Sequence, residues 1–259
     1  MNVIYKPKGR ALEYAPLACN LYIGCTHGCK YCYAPGCMRR SLEDWHAKAN
    51  VRKDIVASFE KDAEWLSGNK PDNENRRVLF CFLSDPYQPL EGRLHITRKC
   101  LKIAQRHGIK VDVLTKGAYN RVSKDLDLMV SANARLGVTL SFITDKKRKE
   151  WEPKAASVSE RLRLLREAHA KGIYTWVSME PVIDPDEALK VIDAAHEFVD
   201  FWKVGKLNYN REVESKVDWN AFRENVVARL RSYGAHFYIK KSLRLYKLRR
   251  GEKKYETHR

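Results

Sequence analysis

Short apolar runs alternate along this chain with longer stretches whose apolar residues recur every three or four positions. Val78–Leu83, Lys110–Lys116, Gly137–Phe142, Ile173–Met179 and Asp200–Val204 read as strands, with Asn20–Gly24 before them and His236–Ile239 after them. Helical spacing fills the gaps at residues 51–66, Ile96–His107, Ser123–Ala132, Val158–Lys171, Pro185–Phe198 and Trp219–Tyr233, and Ser123 stands where an N-cap belongs. Successive strands separated by one helix need a crossover, and a crossover returns the chain as a parallel strand. About six such units fit an α/β fold of the partial (β/α)6 TIM-like barrel kind. A doubly wound open sheet competes with it, and periodicity alone does not separate the two. No repeat or low-complexity linker interrupts the alternation. Residues 1–240 are therefore expected to form one domain, with 241–259 as a basic C-terminal tail.

Both folds place ligands beyond the carboxyl ends of their strands. Polar groups stand at those ends in nearly every unit. Cys25 follows the first run, Ser84 and Asp85 the second, and Thr115 and Lys116 the third. Ser141 lies near the fourth, Glu180 after the fifth, and Lys206 with Asn208 after the sixth.

Composition narrows the class. At 44% apolar residues over 259 positions, with 6 Trp and 13 Tyr, the chain can bury a sizeable core, which argues against disorder. No apolar run approaches the roughly 20 residues that span a bilayer, and the first ten residues lack the apolar centre of a signal peptide. A soluble cytoplasmic protein with no membrane contact is expected. The net charge of +17 draws polyanions, so DNA or RNA is a candidate partner or substrate. A solubilising surface is the bland alternative. Much of the excess crowds at Lys240, Lys241, Arg244, Lys247, Arg249, Arg250, Lys253 and Lys254.

Five of the 7 cysteines fall between Cys19 and Cys37, and in a cytoplasmic protein such clustering points to metal rather than disulfides. Cys100, within a helical pattern, reads as a small buried hydrophobe. The segment Gly24-Cys-Thr-His-Gly-Cys-Lys-Tyr-Cys-Tyr33 offers Cys25, Cys29 and Cys32 from one compact loop. Three cysteines on a [4Fe–4S] cube leave one iron without a protein ligand. That iron can take the amino and carboxylate groups of S-adenosylmethionine. An electron passed to the sulfonium then gives methionine and a 5′-deoxyadenosyl radical, which abstracts hydrogen from an unactivated carbon. Two readings compete. One is a zinc-stabilised, non-catalytic nucleic-acid-binding module with Cys19, His27 or Cys37 as fourth ligand, although structural zinc usually pairs cysteines across a longer gap and no second Cys-x-x-Cys pair exists. The other is an electron-transfer cluster completed by Cys37.

With the aromatic Tyr33 behind it, the triad resembles that of the radical S-adenosylmethionine (SAM) superfamily. Further segments are similar to its spore photoproduct lyase-like branch: Lys8–Ala11, Leu21–Cys25, Ser84–Glu91, Leu114–Lys116, Arg161–Leu162, Met179–Pro181 and Gly205–Tyr209. The resemblance runs from about Tyr5 to Ser242. It implies a radical SAM partial barrel and a lyase-like radical enzyme with Cys25, Cys29 and Cys32 as cluster ligands. It also implies Ser84 at the methionine amino group and Lys116 at its carboxylate, with Asp85 beside them. Ser141 would face the ribose and Glu180 the adenine or substrate. Tyr31 and Tyr33 would be radical relays, and a flavodoxin- or ferredoxin-like donor would reduce the cluster. One departure matters. The lyase carries a hydrogen-donating cysteine two residues before the matching Ser, and Phe82 stands there in this chain. The adjacent thiol, Cys81, should point to the opposite face as packing, although a bulge would return it to the cavity as a catalytic thiol. Photoproduct repair is therefore not the expected reaction, and DNA, RNA, a peptide and a small metabolite all remain candidate substrates.

Overall fold

The computed structural model describes residues 3–69 and 76–246. Ten strands are present among the described residues: β1 (Ile4–Tyr5), β2 (Leu17–Cys19), β3 (Tyr22–Ile23), β4 (Asn50–Val51), β5 (Val78–Phe80), β6 (Val111–Thr115), β7 (Arg135–Thr139), β8 (Thr175–Val182), β9 (Phe201–Lys206) and β10 (Phe237–Ile239). Eight form one sheet in the order β1-β2-β5-β6-β7-β8-β9-β10, and β3 pairs separately with β4. Only β1 runs antiparallel in the large sheet; every pair from β2 to β10 is parallel. The sheet is open, with β1 and β10 as its edges.

Side chains of a strand alternate between faces, so each strand feeds two packing layers. Val78 and Phe80 of β5, and Val177 and Met179 of β8, join the main core with the helices. Leu79 and Trp176 point the other way, into a smaller cluster with Ala15 and Ala18, edged by Tyr14, Phe82, Leu114 and Phe201. Gly137 makes room for this second layer, because a Cβ there would sit 2.2 Å from the Trp176 ring. The helices start where short polar side chains can cap them. Ser157 and Glu160 form a reciprocal capping box for Val158–Ala170, while Asp184 and Asp218 cap Pro185–Ala195 and Trp219–Ser232.

Three expectations shift. The first parallel strand of the large sheet is Leu17–Cys19, upstream of Asn20–Gly24, because the Asn20 side chain accepts from the backbone N–H of Phe82 and Leu83 at 2.9 Å each and ends the pairing there. Val51 belongs to β4, opposite Tyr22, and its helix begins only at Ile55. Ser123 caps nothing with its side chain and starts a 3-10 turn instead. At the other end, Lys241–Arg244 forms a short helix with Leu243 fully buried, while residues 247–259 of the expected tail lie outside the described residues. Among the described residues no helix is long and apolar enough to cross a membrane.

Candidate cluster and cofactor site

The chain turns out of β3 at Gly24, where φ is +81° and a Cβ would lie 2.2 Å from the Lys48 carbonyl, so only glycine fits. The loop beyond it is fastened from several sides. Cys25 N–H donates to the Trp45 carbonyl at 3.2 Å, Lys30 N–H to Trp151 at 2.9 Å, and Lys154 N–H to the His27 carbonyl at 3.1 Å. The Gln88 amide brackets Cys25 from below, donating to the Gly24 carbonyl and accepting from Thr26 N–H, each at 3.3 Å.

Cys25, Cys29 and Cys32 are free thiols, the first two buried and the third half-buried. Burial pushes the Cys29 thiol up to about 12, with Lys116 pulling it back and Glu152 and Cys32 opposing that pull. Cys25 and Cys32 are raised for the same first reason, and Cys25 feels the charges of Asp85, Cys29 and Cys32. Left alone, these thiols keep their protons at neutral pH, so a bound metal must displace them. Cys19 is buried in the main core, and Cys37 lies exposed in the helical turn Ala34–Cys37. Three thiols from one loop that contains no fourth cysteine fit a [4Fe–4S] cluster with one open iron. Among the described residues no three His, Cys, Asp or Glu side chains are grouped to hold a single metal ion, so the zinc reading gains no support.

Lys116, just past β6, stands beside this loop with its Nζ 5.7 Å from the Tyr31 ring centre. Burial disfavours its charge, but Cys29, Glu152 and Asp85 outweigh that and raise its pKa. It stays cationic, ready for a carboxylate. Asp85 plays a different part from the cofactor contact expected of it. One oxygen accepts from Thr115 Oγ1 at 2.6 Å and Tyr87 N–H at 2.8 Å, the other from Lys116 N–H at 2.6 Å, and His27 Nδ1 lies 3.5 Å away. Asp85 thus ties the ends of β5 and β6 to the cysteine loop. Tyr31 donates its hydroxyl to Glu152, which pairs with Arg161 at 2.5 Å, both partners fully buried. Tyr33 is largely exposed and donates to the Phe82 carbonyl at 2.7 Å. Ser141 Oγ, past the end of β7, is buried without a hydrogen-bond partner, and Ser84 Oγ, past the end of β5, is buried with only the weakly bonding Cys81 thiol beside it. Such a hydroxyl costs about 1–3 kcal/mol unless something pairs with it, and a bound ligand is one explanation.

Glu180 on β8 belongs to a neighbouring polar group. Its carboxylate accepts from Tyr14 OH and Lys240 Nζ, each at 2.5 Å, and Tyr14 OH lies 2.7 Å from Ser178 Oγ. Gly205 opposite leaves room for it, since a Cβ there would approach the carboxylate to 2.7 Å. The Tyr14 ring meets Phe82 edge-on at 6.0 Å, so the position of the missing thiol looks onto this group. Lys240, read from the sequence only as part of the basic end, follows β10 as Lys116 follows β6; the strand-end rule reaches it. Tyr14, Gln88 and Glu152 carry no such signal. Lys206 corrects the expectation in the other direction, since its Nζ pairs with Glu214 at 2.6 Å and donates to the Leu207 carbonyl at 3.0 Å. Cys81 lies in the main core, its sulfur 3.5 Å from Leu21 N–H, while Phe82 edges the second cluster. It is packing, not a thiol presented to the cavity.

Residues 19–199 match the family model of the radical SAM superfamily. A protein of Methanocaldococcus jannaschii is 27% identical over 207 residues, covering 76% of this chain and 72% of that one. A protein of Acidianus two-tailed virus is 27% identical over 182 residues, covering 66% of this chain and 57% of its own length. Among solved structures, spore photoproduct lyase with bound AdoMet and dinucleoside spore photoproduct superposes with a TM-score of 0.67 at 15% identity, over 92% of this chain and 78% of the lyase. SuiB of Streptococcus suis bound to S-adenosylmethionine gives 0.65 at 12% identity, over 86% of this chain but 49% of SuiB. At such identities the two structures speak to the fold, an open α/β sheet like that of partial TIM barrels, and the family model speaks to descent. The chain belongs to the radical SAM superfamily, whose members are enzymes working with a [4Fe–4S] cluster and S-adenosylmethionine.

Proposed function

We propose that this protein cleaves S-adenosylmethionine reductively and directs the radical at a nucleic acid, in lyase-like fashion, as a cytoplasmic enzyme. The observation that carries the reading is the cationic Lys116 set beside three free thiols on one loop. Cys25, Cys29 and Cys32 would hold the cluster, which when bound supplies the electron that splits S-adenosylmethionine. Lys116 then neutralises the methionine carboxylate, the buried Ser84 hydroxyl takes the amino group, and the unpaired Ser141 hydroxyl takes the ribose. Asp85 and Gln88 hold the loop still, which keeps the reacting carbon in place. Tyr31 and Tyr33 flank the triad as candidate relays. The net charge of +17 supports a polyanionic substrate, as does the likeness in fold to a lyase solved with a dinucleoside photoproduct. Phe82 in place of a hydrogen-donating thiol supports a reaction other than photoproduct repair.

Anaerobic reconstitution tests this reading. The expected product is a brown protein with four irons per chain that converts S-adenosylmethionine to 5′-deoxyadenosine with dithionite. Cys25→Ala should abolish both colour and turnover. Lys116→Met should keep the cluster and raise the KM for S-adenosylmethionine on the order of 10-fold, the size of one lost charge-assisted contact. A colourless, air-stable zinc protein without turnover would overturn the proposal.

A further inference from the structure

Reduction of the cluster needs an electron from outside, and so a surface on which its carrier can dock. A cavity of about 510 Å³ opens beside the helix Ile96–Arg106, lined by Arg98, Lys99, Lys102, Arg121 and Lys124. The two acids in its wall are already engaged. Asp125 accepts from Tyr87 OH at 2.9 Å and pairs with Arg98, while Glu91 accepts from Tyr22 OH and from the backbone of Thr97 and Arg98. Lys99, Lys102 and Lys124 are exposed and form no ion pair among the described residues. The cavity is therefore strongly cationic.

One lining residue, Tyr87, precedes the residue that fastens the cysteine loop. Arg121 Nε donates to the Tyr87 carbonyl at 3.0 Å, and the next residue is Gln88, whose amide brackets Cys25 through Gly24 and Thr26. Arg121 also lies near enough to His27 and Asp85 to act on their charges. The geometry points to this cavity as the docking site for an acidic one-electron donor protein of the flavodoxin or ferredoxin class. The inference rests on the radical reading above. In the step itself the reduced donor loses one electron and the cluster gains it, with no proton or group transferred. Several cations around one cavity suit a compact acidic face, whereas a nucleic-acid strand is gripped along an extended groove.

The test uses the full-length reconstituted protein and an acidic flavodoxin. One variant combines Lys99→Glu, Lys102→Glu and Lys124→Glu. Its control carries the same charge change elsewhere, as Lys53→Glu, Lys61→Glu and Lys190→Glu. The cavity variant should raise the KM for reduced flavodoxin on the order of 10-fold and weaken binding of oxidised flavodoxin, read by flavin fluorescence, by the same factor. Dithionite-driven turnover should be unchanged in both variants, and flavodoxin kinetics unchanged in the control. Lys102→Gln alone should give a smaller shift in the same direction, so a misfolded triple variant does not end the test. Unaltered flavodoxin affinity, an equal loss in the control, or loss of oligonucleotide binding alone would refute the docking site. Absence of dithionite-driven turnover in the unmodified protein instead sinks the radical reading, and the fluorescence titration still judges the cavity.

Discussion

Lys203 shows how a single buried charge sets a pH response. It sits on β9 with its ammonium donating to the carbonyls of Glu13 at 3.1 Å and Tyr14 at 2.7 Å, and it lies 4.9 Å from the Tyr14 ring centre and 5.4 Å from that of Trp176. Burial lowers its pKa from 10.5 to about 8; Asp112 and Glu13 oppose the shift, and Lys240 and Arg135 reinforce it. Between those two values the unfolded chain binds the proton that the folded protein has released, so stability rises with pH across that window. Below pH 8 the folded protein bears the full cost of the charge, up to about 3 kcal/mol. Urea unfolding of the protein and of Lys203→Met at pH 7 to 10.5 checks this. The stability of the unmodified protein relative to the variant should climb by up to about 3 kcal/mol across the window; a flat difference would mean that Lys203 titrates normally. Loss of the two carbonyl contacts in the variant offsets the whole curve without altering its slope.

The helix Val158–Ala170 carries the clearest conflict between pattern and chemistry. Its capping box and its buried Leu164, Leu165 and Ala168 are what its spacing predicts, yet Arg161 on the same face is fully buried. Arg161 donates to the Thr139 carbonyl at 2.8 Å and the Ala156 carbonyl at 3.1 Å and pairs with Glu152, so one guanidinium joins this helix, the end of β7 and the segment that holds Tyr31. Removing one partner of a buried pair strands the other charge, so Arg161→Met should cost about 3–5 kcal/mol in urea unfolding. Adding Glu152→Leu should recover much of that loss; if the double variant is no more stable than the single, the pair is not what holds these elements together. The same contrast explains what the sequence revealed. Period and spacing expose Cys25, Cys29 and Cys32, the strand ends and most helices, because these depend on neighbours along the chain. Register between distant segments leaves no such trace. The pairing of Tyr22 with Val51 and the contacts of Tyr14 with Glu180, Gln88 with Gly24 and Tyr31 with Glu152 each join residues far apart in the chain. The β2 run Leu17–Cys19 is only three residues long and follows Pro16, so it presents almost no alternation to read.

At the scale of the molecule, the basic C-terminal end has two parts that cutting can separate. Up to Tyr246 it is structural: Leu243 is fully buried, Lys241 N–H donates to Glu13 at 2.8 Å, and Arg223 donates to the Arg244 carbonyl at 3.2 Å. Beyond Tyr246 the sequence carries Lys247, Arg249, Arg250, Lys253, Lys254 and Arg259 against Glu252 and Glu256. A chain ending at Tyr246 keeps the Leu243, Lys241 and Arg244 contacts and should unfold within about 0.5 kcal/mol of the full protein. A chain ending at Lys240 exposes the cavity that Leu243 fills and should lose about 2–3 kcal/mol. Nucleic-acid affinity should respond to the first cut already. If those cations contact phosphates, the slope of log affinity against log salt for a single-stranded oligonucleotide becomes shallower by about 0.7 for each contact removed. An unchanged slope with the Tyr246 chain would place the polyanion contacts elsewhere on the molecule. Equal stability of the two truncated chains would show that the Lys241–Arg244 helix contributes nothing to the fold. Because the two readouts fall on different sides of Tyr246, neither result can stand in for the other.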